Sequence, residues 1–149
     1  VEALGLGYNR ECGQQRSLEI VLDTNFVVIL SEYPHLISQL ESITEYPSKC
    51  VLLSVVLREL ETVSRQLGST KRRLLERVLD HLKHRCSVVD FETAPDVDQA
   101  IIEYASGRGC LVAVATNDRE LRRRLREAGI PSIYFREESR RLEYEGLLP

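Results

Sequence analysis

Apolar positions along this chain fall into short continuous runs separated by longer stretches with helical spacing, and that alternation predicts the architecture. Ile20-Val21-Leu22 is such a run, β-branched at two positions, as a strand buried on both faces requires. It stops at Asp23, where Thr24 or Asn25 is placed to cap a short helix over Phe26–Leu30. Pro34 suits the first turn of a second helix reaching about Thr44, with Leu36, Ile37, Leu40 and Ile43 on one face. After the breaker Tyr46-Pro47-Ser48, Cys50–Leu53 reads as strand two. Ser54 is expected to cap a helix with Val55, Val56, Leu60 and Val63 inward and Glu59 one turn in. Gly68-Ser69-Thr70 separates it from a helix over Lys71–Lys83 whose core face is Leu74, Leu75, Val78, Leu79 and Leu82.

Ser87-Val88-Val89 follows as strand three, and Pro95–Ala105 as a helix ended by Gly107 and Gly109. Leu111–Ala115 is strand four and ends in Thr116-Asn117-Asp118. Arg119–Ala128 is a helix closed by Gly129, and Ile130–Phe135 is strand five. Strands alternating with helices predict an α/β fold, a parallel sheet with right-handed crossovers and helices on both faces. Residues 18–135 read as one domain. Residues 1–17 read as an irregular segment before it, and 136–149 as a charged tail with a turn near Leu142.

Composition narrows the function classes. A chain of 149 residues, 43% hydrophobic and 29% charged, has room for a sizeable core and reads as globular. Neither a bilayer-length apolar stretch nor a leader is present, so a cytoplasmic location is the expectation. A net charge of −3 excludes a uniformly basic nucleic-acid coat. The cations are nonetheless bunched, 17 of the 20 being arginine, with Arg119, Arg122, Arg123, Arg124 and Arg126 the densest group. Such a group serves either surface ion pairs or phosphate contacts.

Cys12, Cys50, Cys86 and Cys110 lack metal-like spacing, and buried thiols are expected; a disulfide stays open for an Arg-rich, Met-free chain. His81 and His84 are expected on the surface, with no third ligand near them. Gly5-Leu6-Gly7 precedes the first strand instead of following it, so it is no dinucleotide loop.

Only six aspartates occur, yet Asp23 and Asp118 each stand just past the carboxyl end of a predicted strand. Glu59 lies early on the helix after strand two and Asp98 near a helix start. In a parallel sheet these positions share the edge where binding crevices form. Carboxylates gathered without compensation repel, and Mg²⁺ or Mn²⁺ is the usual remedy where no His or Cys is on hand.

These stretches resemble the PIN-domain nucleases. Val21-Leu22-Asp23-Thr24-Asn25 is similar to their first acidic motif, and Ser54 to Glu61 with Glu59 to the second. Asp98-Gln99-Ala100-Ile101 is similar to the third, with Asp96 a competitor for the acid. Val114 to Leu121 with Asp118, followed by Gly129-Ile130-Pro131, is similar to the fourth. The resemblance implies a three-layer α/β/α fold with a five-stranded parallel sheet. It implies an endoribonuclease holding Mg²⁺ or Mn²⁺ on Asp23, Glu59, Asp98 and Asp118 and leaving a 5′-phosphate and a 3′-hydroxyl. Asn25, Thr116 and Asn117 would support that site, and Arg119, Arg122, Arg123 and Arg124 would bind RNA.

Lys49-Cys50-Val51 and Ala115-Thr116-Asn117-Asp118 most resemble the ribosomal-RNA-processing branch, whose substrate is a ribosomal RNA precursor; a homodimer is compatible with it. The VapC-like toxin branch, with an antitoxin protein as partner, is the nearest rival. A non-catalytic PIN-like RNA-binding domain is a further alternative. A haloacid-dehalogenase-type phosphatase is disfavoured, because Asn25 stands where its second aspartate belongs.

Overall fold

The computed structural model describes residues 17–92, 96–108 and 111–146. The expectations for residues 1–16, including Gly5-Leu6-Gly7 and Cys12, for a helix start at Pro95, and for Gly109 and Cys110 lie outside the described residues.

The elements run β1 (Leu18–Leu22), α1 (Thr24–Glu32), α2 (Leu36–Glu41), β2 (Ser48–Leu53), α3 (Ser54–Gln66), α4 (Ser69–Arg85) and β3 (Ser87–Val89). They continue with α5 (Val97–Gly107), β4 (Leu111–Ala115), α6 (Arg119–Glu127), β5 (Ser132–Arg136) and β6 (Arg141–Glu145). The strands form one sheet in the order β3-β2-β1-β4-β5-β6. Pairs β1–β2, β1–β4, β2–β3 and β4–β5 are parallel, while β6 runs antiparallel to β5. The sheet is thus mixed and six-stranded, where five parallel strands were expected. The extra strand lies in the charged stretch after 136. Of its residues only Leu142 is buried, so its apolar signal is a single residue. Backbone pairing to β5 and a 3.0 Å bond from the Leu142 N–H to Gln39 Oε1 on α2 hold it.

Ile20, Val21 and Leu22 of β1 and Ala113, Val114 and Ala115 of β4 are at most 1% exposed, so the central strands are covered on both faces. Each larger side chain buried there contributes about 1.5–3 kcal/mol. The chain leaves β1 toward β2 and β3, then returns to the other side of β1 for β4 and β5. The point where its direction reverses lies between the carboxyl ends of β1 and β4, and crevices open at such points. Asp23 N–H donates to Ala115 O at 3.0 Å there, closing the two strands together.

Three local expectations change. The cap of α1 is Asp23 itself, whose Oδ1 accepts the Thr24 N–H at 2.8 Å. Ser54 does not cap α3; its hydroxyl accepts the Phe91 N–H at 3.0 Å and lies 3.2 Å from Asp90 Oδ1, tying α3 to the segment after β3. Helix α2 ends at Glu41 rather than near Thr44, where the Ser42 hydroxyl bonds back to the Ser38 and Gln39 carbonyls and competes with the next turn. Gly129, at φ +75°, makes the turn out of α6 that was expected of it. No helix among the described residues is long and apolar enough to cross a membrane.

Cys50 and Cys86 are joined in a disulfide, not held as separate thiols. The register that pairs Val51 with Ser87 brings the preceding residues, Cys50 and Cys86, side by side with their Cα atoms 4.6 Å apart. Sequence spacing could not show this, because only the pairing of β2 with β3 makes them neighbours. The bond closes a loop 36 residues long and should stabilise the fold by about 2–4 kcal/mol. The Cys50→Ala/Cys86→Ala variant should therefore unfold at a lower denaturant midpoint than the oxidised protein, with a slope equal or steeper because its unfolded chain is no longer cross-linked. An unchanged midpoint would mean that β3 is held by packing alone.

Candidate active site

Four helices begin at the carboxyl edge of the sheet, and each brings an acid with it. Asp23 closes β1 and caps α1. Asp118 follows β4 and caps α6, its Oδ1 accepting the Leu121 N–H at 3.0 Å. Glu59 lies on the second turn of α3. Asp98 lies in the first turn of α5, whose cap is Asp96, accepting the Gln99 N–H at 2.7 Å. All five carboxylates line one cavity of about 820 Å³, which Asn25, Val28, Ile29 and Val63 complete. The apolar wall has a sequence signal: Val28 and Ile29 stand three and four residues after Asn25, and Val63 stands four after Glu59.

Asp23 is the most constrained of the acids, at 3% exposure. Its Oδ2 accepts the Thr116 hydroxyl at 2.6 Å and the Asn25 amide at 3.0 Å. Burial raises its carboxyl from 3.8 to about 6; the bonds from Thr116 and Thr24 oppose the rise, and the charges of Asp98 and Glu59 add to it. Asp98 is also raised, first by burial, then by Asp118 and Asp96, with Arg124 pulling the other way and Glu59 adding to the rise.

The expected supporting residues divide in two. Thr116, fully buried, bridges the two aspartates, since its oxygen also accepts the Asp118 N–H at 3.0 Å. Asn25 Oδ1 accepts the Asn117 N–H at 3.1 Å. The Asn117 side chain itself reaches β5, accepting the Phe135 N–H at 2.7 Å and donating to Phe135 O at 2.9 Å. It fixes the turn and does not line the cavity.

The arginines divide as well. Arg122 stacks on Tyr134, 3.7 Å from the ring centroid, and pairs with Glu145. Arg123 pairs with Glu120 and Glu127. Arg124 donates to Gln99 Oε1 at 2.6 Å, next to Asp98. Arg119 is exposed and has no partner among the described residues.

The donor chemistry fits a hard divalent cation: carboxylate oxygens throughout, with no imidazole or thiolate in the lining. Thr24 Oγ1, buried in the cavity wall, has no hydrogen-bond partner. Among the described residues no three acidic, histidine or cysteine side chains stand close enough together to hold a metal ion by themselves. The acids line an open cleft, which suits an ion that keeps much of its water.

Residues 20–138 match the family described as PIN like domain. The chain belongs to that family. It is 33% identical over 124 residues to Ribonuclease VapC4 of Methanocaldococcus jannaschii, covering 80% of this chain and 91% of that one. It is 32% identical over 121 residues to Ribonuclease VapC9 of Archaeoglobus fulgidus, covering 80% and 84%. In fold, the PIN domain is similar to the PIN domain endonuclease Utp24, with a TM-score of 0.68 at 21% identity over 87% of this chain and 92% of that one.

The raised carboxyl of Asp23 makes stability depend on pH. Below about pH 4 the group is protonated whether folded or not, and it costs nothing. As pH rises from 3.8 toward 6 the folded protein holds the proton that the unfolded chain has lost, and above about 6 the penalty is complete. Its size is on the order of 3 kcal/mol. Metal-free protein should gain stability on acidification from pH 7 to 5, and Asp23→Asn should lose most of that gain. Denaturant titrations at the two pH values measure it; an identical pH response in the variant would refute the assignment.

Proposed function

We propose that this PIN domain is a divalent-metal-dependent endoribonuclease hydrolysing RNA phosphodiester bonds. The observation that carries the reading is that Asp23, Glu59, Asp98 and Asp118, brought by four separate helices, line one cavity at the strand ends. Two relatives at 32–33% identity are named ribonucleases, which supports RNA as the substrate. Asp23 and Asp118 would be the principal ligands of Mg²⁺ or Mn²⁺, with Glu59 and Asp98 completing the shell or holding its waters. When bound, such an ion supplies positive charge against the scissile phosphate and lowers the pKa of water.

The chain's own residues prepare that site. Thr116 donates to Asp23 and accepts from the Asp118 amide, holding the two ligands at a set spacing. The Asn25 amide braces the same Asp23 oxygen. Burial strengthens the proton affinity of Asp23, so a cation entering the cavity competes with that proton. Val28, Ile29 and Val63 shield one wall from bulk water, and Arg119 is free to meet a phosphate.

For the cellular role, Lys49-Cys50-Val51 and Ala115-Thr116-Asn117-Asp118 favour processing of a ribosomal RNA precursor. The names of the two relatives favour a toxin restrained by an antitoxin protein. Growth arrest on expression, relieved by a co-expressed partner, would select the toxin; site-specific cleavage of precursor ribosomal RNA would select the processing enzyme.

Asp23→Asn and Asp118→Asn should each lower Mn²⁺-dependent RNA cleavage by more than about a hundredfold while the protein still folds. In wild type, Mn²⁺ at a hundredfold excess over its dissociation constant should stabilise the folded state by about 2.7 kcal/mol. That shift should shrink in both variants, and the double variant should lose less than the sum. Asp98→Asn should reduce it and Asp96→Asn should not. Full activity in Asp23→Asn would overturn the ligand assignment. A wild-type protein that binds RNA but shows no metal-dependent shift would be a non-catalytic RNA-binding domain.

A further inference from the structure

The acidic cavity is not acidic throughout. Beside its carboxylates it is lined by Val28 and Ile29 of α1, Val63 of α3 and Val97 of α5. All four pack on the core, yet each stays partly exposed. A partly exposed valine by itself is ordinary. Here three helices bring such side chains into one concavity, and the spacing explains how. Val28 and Ile29 stand one turn after Thr24 and Asn25, and Val63 stands one turn after Glu59. Helices α1 and α3, which pack together, thus carry polar site residues in one turn and aliphatic side chains in the next. The step between the two turns is about 6 Å along each helix.

A hydrated cation does not account for that space. An ion with an octahedral shell of oxygens fills roughly 200 Å³, at about 30 Å³ per water. The cavity measures about 820 Å³. Nor does a hydrated ion gain anything from aliphatic neighbours. Apolar lining with a few convergent polar groups is the make-up of a pocket for an organic ligand.

Thr24 gives an independent sign of such a ligand. It is 7% exposed and lines the same cavity, on the same face of α1 as Val28. Asp23 caps α1 in its place, and the Thr24 Oγ1 is left without a hydrogen-bond partner. A buried polar atom in that state is uncommon and costly. The neighbouring Asn25 amide is already engaged at both ends, by Asp23 Oδ2 and by the Asn117 N–H.

We propose that Val28, Ile29 and Val63, with the Thr24 hydroxyl, form a nucleobase subsite for the nucleotide whose phosphate meets the acids, an inference that rests on the ribonuclease reading above. Of the parts of an RNA strand, the base alone is uncharged with apolar faces. The phosphate belongs with the cation, and the ribose is rimmed by oxygens. The Thr24 hydroxyl can donate or accept, so it serves the polar edge of any base. Aliphatic side chains meet a base by its face, so the subsite selects for an unpaired base and not for its identity. A base within a duplex enters the cavity only by leaving its stack.

The test uses the full chain and a short fluorescein-labelled oligoribonucleotide, with a series in which each nucleotide in turn is made abasic. Binding is followed by anisotropy in EDTA, and cleavage is followed with Mn²⁺. In wild type, base removal at one position, adjoining the cut, should raise Kd and lower kcat/KM about tenfold; other positions should change less than about twofold. A Val28→Thr/Val63→Thr variant keeps the shape of the wall and makes it polar. It should lose about fivefold on the intact strand and less than about twofold on the strand abasic at that position, because both changes remove one contact. Annealing the complementary strand should suppress cleavage.

A flat abasic scan, while wild type cleaves the intact strand, would overturn the subsite and leave the ribonuclease reading standing. A single sensitive position in binding, with no cleavage by wild type, would overturn the ribonuclease and leave the subsite. Equal losses by the variant on intact and abasic strands would mark a structural defect and overturn the subsite. Cleavage of the duplex as fast as of the single strand would overturn it too. The scan on wild type decides the matter even where the variant fails to fold.

Discussion

The burial of one carboxylate, Asp23, at the point where the sheet reverses direction is the constraint to which the rest of the carboxyl edge answers. It caps α1, joins β1 to β4 through its own amide, and receives the Thr116 hydroxyl and the Asn25 amide. Its ionisation is opposed by burial and by the charges of Asp98 and Glu59. A cluster built this way persists because four helices point their N-termini at it. Three of the acids accept backbone N–H groups at those ends, and the helix dipoles offset part of the repulsion.

The acids are placed by contacts that lie away from them. Glu59 depends on the orientation of α3, and α3 is held to the segment after β3 by Ser54 with Asp90 and Phe91, and by Arg58 with Glu92. That segment follows an edge strand of three residues, stapled to β2 by the Cys50–Cys86 disulfide. On the other flank, Asn117 ties the Asp118 turn to β5, and β6 supplies Glu145, which engages two arginines of α6. The edges of the sheet thus brace its centre.

Much of this was legible in the sequence, because the signals concerned are local. Ile20-Val21-Leu22 and Leu111 to Ala115 announce buried strands by their unbroken apolar runs, and an acid at the first turn after a parallel strand lies at the crevice edge in any such fold. The order of acids and strands therefore determined the α/β class, the family and the set Asp23, Glu59, Asp98 and Asp118 as candidates. What it could not decide were the questions of partnership. Cys50 becomes a disulfide only when β2 and β3 pair. Leu142 is strand rather than tail only because β5 offers an open edge, and Arg122 is spent on Tyr134 and Glu145 because β6 lies there. Within the arginine run beside Asp118, Arg123 pairs with Glu120 and Glu127 of its own helix, whereas Arg122 and Arg126 pair with Glu145, 23 and 19 residues further on, which only the folded chain brings within reach.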